Sequence, residues 1–228
     1  MYTWATDLID LFLPRKCPIC GSMLLREEKT LCLNCAGQLP RLPFWGAENP
    51  ADERMFGRFR FEHGAAFGFY QHGNAFARLI QEAKYFGHPW VNYDLGLIAA
   101  SEMQTQGWPF DIDLILPVPI HWRRMLKRGY NQVHPLGKAL SEVWNIPLNT
   151  RLLRKSRYTD SQVQQTFEER LNHVDNTFAV TRPELLEGRH ILLIDDVLTS
   201  GATLSACANI LNTIPGLRIS FLTLAMAK

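Results

Sequence analysis

The sequence predicts an α/β protein, a mostly parallel sheet flanked by helices, with a small cysteine-rich appendage at its amino terminus. Three observations predict it. From residue 65 onward, short apolar runs alternate with amphipathic stretches, the pattern of strands joined by crossover helices. Two C-x-x-C pairs crowd together near the start. The chain has 228 residues, enough for one main domain plus an appendage. A 46% hydrophobic fraction, with 13 Phe, 6 Trp and 6 Tyr, can fill a core and excludes a disordered or collagen-like chain. Lys plus Arg number 24 against 22 Asp plus Glu, a net charge of +2 that excludes a uniformly basic nucleic-acid coat but not a local patch.

The first segment, MYTWATDLIDLFLPRK, lacks a positive leading region and carries Asp7 and Asp10 inside its apolar stretch, so it does not read as a cleaved secretory signal. No uncharged apolar run approaches the roughly 18 residues of a membrane span. A cytoplasmic protein without a membrane span is therefore expected. Leu8, Ile9, Leu11, Phe12 and Leu13 share one helical face, short and not cationic, expected to dock on the protein's own core.

Cys17-Pro-Ile-Cys20 and Cys32-Leu-Asn-Cys35 follow, with eleven residues between the pairs. Each C-x-x-C turn points two thiolates at one cation, and two such turns complete a tetrahedral shell of four sulfurs suited to structural Zn2+. Disulfides are disfavoured in a chain without a secretory signal, and a redox site needs one such pair at a helix start rather than two in one patch. A closed four-sulfur shell has no open position for catalysis. The fifth cysteine, Cys207, lies in an apolar helical context and reads as a small buried hydrophobe.

Residues 1–40 are thus expected to form the amphipathic start and ribbon. Residues 41–64, containing Pro43 and Pro50 and no clear period, are expected to form a linker with some docking residues. The main domain, 65–228, should carry a strand at Ala65 to Tyr70, helices from Asn74 to Tyr85 and from Tyr93 to about Thr105, and a buried strand from Ile112 to Val118. A helix from about Pro135 to Trp144, a short strand near Leu152 and an apolar strand from Arg189 to Ile194 come next. A helix from Thr203 to about Leu211 and a strand through Ile219 to Leu224 end the chain.

The most informative segment is HILLIDDVLTSGATL, residues 190–204. An apolar strand ends in Asp195 and Asp196, and the loop Thr199-Ser200-Gly201-Ala202-Thr203 then opens into a helix. Ligands of open parallel sheets bind at such carboxyl ends. Gly201 lets backbone approach an anion, and the hydroxyls of Thr199, Ser200 and Thr203 join the N–H groups of the helix N-terminus to make a phosphate cradle. The two carboxylates suit the vicinal hydroxyls of a ribose beside that phosphate. The segment has neither the lysine of a triphosphate P-loop nor a G-x-G-x-x-G pattern, which disfavours ATP and dinucleotides.

IDDVLTSGAT resembles the phosphoribosyl-pyrophosphate (PRPP) motif of type I phosphoribosyltransferases. Together with CPIC and CLNC, the KYFG at 84–87, PVPIHWRRMLKRGYNQ at 117–132 and QQTFEERLNHVDNTF at 164–178, it resembles the ComF (GntX) family over nearly the whole chain. Members of that family are cytoplasmic proteins linked to natural competence, the uptake or processing of transforming DNA, or to use of DNA as a nutrient. The resemblance implies a type I phosphoribosyltransferase-like fold over 65–228 behind a four-cysteine zinc ribbon. It places Asp195 and Asp196 at the ribose hydroxyls and Thr199, Ser200, Gly201, Ala202 and Thr203 around the 5-phosphate. The Pro117-Val118-Pro119 turn, Arg124, Arg128, Tyr130, Asn131, Gln132 and Lys84 would lie on the pyrophosphate side. Mg2+ would accompany PRPP with few protein ligands, and a nitrogen nucleophile would displace pyrophosphate at the anomeric carbon. Neither that nucleophile nor a catalytic residue is identified, so a phosphoribosyltransferase and a catalytically silent PRPP sensor or adaptor are both compatible with the sequence.

Charge is segregated. Between His121 and Arg157 stand nine basic residues and one acid, Glu142. Arg124 and Arg128 suit PRPP. Arg151, Arg154, Lys155 and Arg157, with Trp122, Tyr130 and Tyr158 as stacking faces, suit either a solvated basic face or, together with the zinc ribbon, an accessory that binds single-stranded DNA, and the partners anticipated besides PRPP are such DNA or competence DNA-processing proteins. Arg170, in the block with Gln164 and Asn172, pairs either with phosphate or with an acid such as Glu168. The seven histidines have no metal spacing among themselves.

Overall fold

The computed structural model describes residues 15–43, 49–85, 88–108, 111–120, 125–126, 128–155 and 177–228. The amphipathic face at Leu8 to Leu13, Phe86, Gly87, Trp122, Arg123, Arg124, Lys127, Arg157, Tyr158 and the block from Gln164 to Asn172 lie outside the described residues.

Four strands form the main sheet: β1 (Gly64–Tyr70), β2 (Leu114–Pro117), β5 (His190–Leu198) and β6 (Arg218–Ala227), all parallel, in the order β1-β6-β5-β2. A parallel sheet needs cover on both faces, and β5 shows why its sequence is a continuous apolar run. Leu192 and Ile194 join one buried cluster and Ile191 and Leu193 the other, all four at 0% exposure. The expected strand at Arg189 to Ile194 therefore extends to Leu198, carrying both aspartates on the strand itself.

On the first face lie α3 (Ala75–Tyr85), α4 (Pro89–Thr105) and α5 (Val133–Trp144). The Asn74 side chain caps α3, accepting from the Ala77 N–H at 2.9 Å. Phe76, Leu79, Ile80 and Ala83 then recur at helical spacing against the sheet. Pro89 opens α4 one turn earlier than its apolar pattern suggests, because proline tolerates the first helical position. The Gly96 position brings α4 close to α5, where a Cβ would stand 2.8 Å from that of Ala139. On the other face, α6 (Ala202–Leu211) buries Leu204, Cys207, Ala208 and Leu211. Cys207 is the buried hydrophobe its context predicts, and burial pushes its thiol well up.

The short strand expected near Leu152 is β3 (Leu153–Lys155), paired antiparallel with β4 (Phe178–Val180). Three-residue β4 carries too little alternation to be read from sequence. The expected linker contains a helix, α2 (Pro50–Met55), capped by Asn49. Asn49, Ala51 and Met55 are fully buried.

The ribbon ends in α1 (Leu33–Gly37) and packs on the first face. Arg41 donates two 2.6 Å hydrogen bonds to the Glu102 carboxylate, Arg78 reaches the Ile19 carbonyl at 3.1 Å, and Thr30 hydrogen-bonds Asp94. Among the described residues, no helix is long and apolar enough to cross a membrane.

Candidate functional site

The four cysteine sulfurs lie within 4.8 Å of one another, and Cys20 Sγ is 3.7 Å from Cys32 Sγ. Zinc–sulfur bonds of about 2.3 Å place the sulfurs of a tetrahedral shell about 3.8 Å apart, so the donor set fits Zn2+. The backbone builds both turns. Gly21, at φ +75°, turns the first pair so that the Cys17 N–H donates to the Ser22 carbonyl at 2.8 Å. Cys32 caps α1, its sulfur accepting from the Cys35 N–H at 3.4 Å. Hydrogen bonds from Ser22 lower Cys20 to about 6, while burial pushes Cys35 far up. A cation favours the thiolate at all four. Among the described residues, these cysteines are the one cluster of His, Cys, Asp or Glu able to hold a metal ion.

The second site forms where β5 ends. Asp195 Oδ1 accepts from the Asp196 N–H at 2.8 Å, and burial, then the Asp196 charge, push the Asp195 carboxyl up to about 8. Asp196, 6% exposed, is more heavily engaged. Its Oδ1 accepts from the Val197 N–H at 2.8 Å, and its Oδ2 takes Lys84 Nζ at 2.7 Å and Gln132 Nε2 at 3.1 Å. Arg128 donates to Gln132 Oε1 at 2.7 Å, which chains a guanidinium through an amide to the carboxylate. Asn92 fixes the same segment by donating to the Gln132 carbonyl at 2.7 Å.

The loop after β5 encloses a small cavity of about 30 Å3, lined by Asp195, Thr199, Ser200, Gly201, Ala202, Thr203 and Thr223 among others. Gly201 caps α6 at φ +75°, a conformation that favours glycine. The Thr223 hydroxyl, fully buried, has no partner among the described residues.

Of the pyrophosphate-side expectations, Val118 and Asn131 come together: the Val118 N–H extends the ladder to Ile194 at 2.9 Å, and Asn131 Nδ2 donates to the Val118 carbonyl at 3.0 Å. Pro119 follows at the end of this turn, partly buried. Tyr130 hydrogen-bonds the Ala83 carbonyl through its hydroxyl. Lys84 is ion-paired with Asp196 rather than placed beside the turn at Val118, and Arg124 lies outside the described residues. Three further residues, which no sequence motif signals, touch the loop: Arg54 and Arg58 donate to the carbonyls of Thr199 and Ser200, and Met55 packs under Gly201. Asn49 before Pro50 signals a helix start, but no local pattern signals its target.

Comparison with known proteins agrees with this geometry. Residues 132–228 match the phosphoribosyl transferase domain family, and residues 8–44 match the double zinc ribbon domain. Competence protein F of Haemophilus influenzae is 29% identical over 138 residues, 58% of this chain and 60% of that protein. The DNA utilization protein YhgH of Escherichia coli K12 is 31% identical over 43% of each chain. Competence protein ComFC of Bacillus subtilis is 34% identical over 43% of this chain and 38% of its own. The chain thus spans less than two thirds of the length of each of these relatives. Among solved structures, a B. subtilis glutamine PRPP amidotransferase aligns at 17% identity over 63% of this chain and 30% of that one, with a TM-score of 0.45.

Proposed function

We infer that this chain, a relative of competence protein F and ComFC with a phosphoribosyltransferase domain behind a four-cysteine zinc ribbon, binds PRPP at the end of β5 and serves the uptake or use of DNA. The observation that carries the reading is one cavity lined by the Asp195 carboxylate, a glycine-capped helix N-terminus and three loop hydroxyls, with Asp196 next along the strand. The N-terminus of α6 and the hydroxyls of Thr199, Ser200 and Thr203 suit a 5-phosphate, and Asp195 and Asp196 suit ribose hydroxyls. Arg128, Asn131 and Gln132, beside the turn at Val118, suit the pyrophosphate. Mg2+ would travel with PRPP and offset the charge that develops on leaving pyrophosphate. The reaction class is displacement of that pyrophosphate at the anomeric carbon by a nitrogen nucleophile. The relatives' names support a role in DNA handling. Arg151 and Arg154, both exposed, and Lys155 on the β3 edge give a basic strip suited to a nucleic-acid backbone.

Calorimetry with PRPP and Mg2+ tests the reading. Wild type is expected to bind and the double variant Asp195→Ala, Asp196→Ala to lose binding; absence of binding by wild type refutes the pocket. Pyrophosphate release over a panel of bases, amines and nucleic acids then separates a transferase from a PRPP-binding adaptor, which stays silent throughout. Strand binding that survives removal of the Arg151, Arg154 and Lys155 charges refutes the basic strip.

A further inference from the structure

We propose that Arg54 and Arg58 are positioning residues of the phosphate cradle, turning the loop after β5 so that its N–H groups face the anion. The proposal rests on the reading of that loop as a 5-phosphate site. Three residues from the segment at α2 meet three consecutive loop residues. Arg54 Nη1 donates to the Thr199 carbonyl at 3.4 Å and also to the Ala227 carbonyl at the end of β6. Arg58, in the turn after α2 where its own N–H reaches the Met55 carbonyl at 3.1 Å, donates to the Ser200 carbonyl. Met55, fully buried, lies so close to Gly201 that a Cβ there would stand 2.4 Å from its sulfur.

The consequence follows from the planarity of the peptide. In a trans peptide the carbonyl of one residue and the N–H of the next point in opposite directions. Holding the Thr199 and Ser200 carbonyls on the α2 side therefore sends the Ser200 and Gly201 N–H groups to the other side of the loop. Neither N–H has a backbone acceptor among the described residues, as an anion cradle requires. The same two contacts keep the carbonyl oxygens, which would repel phosphate, turned away from it. Two guanidinium charges behind the loop polarise these peptides further toward an anion. A packing role alone would not need two cations on adjacent carbonyls.

The test uses the full chain, labelled with 15N and titrated with ribose 5-phosphate. Arg58→Ala and Arg54→Ala are each expected to weaken binding about tenfold or more. The Gly201 amide resonance is expected to move in the ligand-free variant, and Arg58→Lys to recover part of the affinity by restoring a donor. If wild type fails to bind ribose 5-phosphate, the cradle reading falls and the proposal with it. If wild type binds, and Asp195→Asn weakens it, but both alanine variants bind within about twofold of wild type, the proposal alone is overturned. Should Arg58→Ala lose its fold by circular dichroism, Arg58→Lys and Arg58→Gln decide the matter. An unmoved Gly201 amide and unchanged affinity in both would overturn the assignment.

Discussion

Replacing Gly201 with alanine perturbs the loop after β5 at its tightest point. The added Cβ would stand 2.4 Å from Met55 Sδ, 2.8 Å from Met55 Cε and 3.4 Å from Leu198 Cδ1, at a φ of +75° that L side chains rarely adopt. The left-handed conformation costs a non-glycine residue about 1 kcal/mol. Overpacking adds about 1–3 kcal/mol, toward the upper end because the Met55 side chain, although flexible, is fully buried and has little space to retreat into. The sum is about 2–4 kcal/mol, or about 4–16 °C in Tm for a chain of this size. Urea denaturation of wild type, Gly201→Ala, Met55→Ala and the double variant forms a cycle that separates the two contributions. Removing the Met55 side chain should relieve the clash and leave the backbone strain, giving a favourable coupling of about 1–2 kcal/mol. A Gly201→Ala protein within about 0.5 kcal/mol of wild type, or a cycle with no coupling, would refute the packing of α2 against the loop.

Three further outcomes are expected. Metal analysis of protein purified without chelator should find about one zinc per chain, and Cys17→Ser or prolonged chelation should lower Tm; a metal-free protein of unchanged Tm contradicts the four-sulfur shell. Because folding raises the Asp195 carboxyl from its ordinary value near 3.8 to about 8, the stability contributed by its neutral form is complete below about pH 4 and is lost as pH rises toward 8. The Tm advantage of Asp195→Asn over wild type should accordingly grow between pH 5 and 9, and a constant difference would show that the carboxyl is not perturbed. Lys84→Met removes the cation from a carboxylate whose side chain is only 8% exposed and should cost about 1–3 kcal/mol in urea denaturation, less than for a fully buried pair because Lys84 is itself 21% exposed. Adding Asp196→Asn should recover most of that loss, and an undiminished stability in Lys84→Met would remove the ion pair from the account.

The site was legible in sequence where chemistry and local order coincide. Asp195 to Thr203 form one strand end, one turn and one helix start, so their spacing alone specifies their neighbourhood. The cysteines are legible for the same reason, since each C-x-x-C is a local turn. Long-range partners left no such trace. Lys84 reads as the last turn of an amphipathic helix, and only the packing of α3 on the sheet brings it to Asp196, 112 residues later. Resemblance alone points Gln132 to the pyrophosphate side, and its bond to Asp196 depends on how α5 starts beneath the end of β2. The strands suffered at their ends: β5 runs past its apolar stretch because parallel pairing with β6 continues through Asp195, Val197 and Leu198. Hydropathy stops at the first aspartate, but hydrogen bonding does not.

The family matches cover residues 8–44 and 132–228, yet much of what shapes the candidate site comes from the stretch between them. Asn49 donates to the carbonyls of Pro43 and Ala66 and so ties α2 to β1. Glu62 donates its N–H to the Ile219 carbonyl at 2.7 Å, and the rings of Phe59 and Phe61 pack on Phe221. Arg54, Met55 and Arg58 are thus held on the body of the protein, on the side from which they reach Thr199, Ser200 and Gly201. On the opposite face, α3 meets the ribbon at Arg78 and the Asp196 carboxylate at Lys84. Six helical residues separate these contacts, about 9 Å along the axis. A single rigid helix therefore joins the cysteine turn at Ile19 to the carboxylate at Asp196. An appended ribbon tethered only through a linker would need no such contact, and its presence makes the ribbon a support of the site's helical face as well as a metal-bound module.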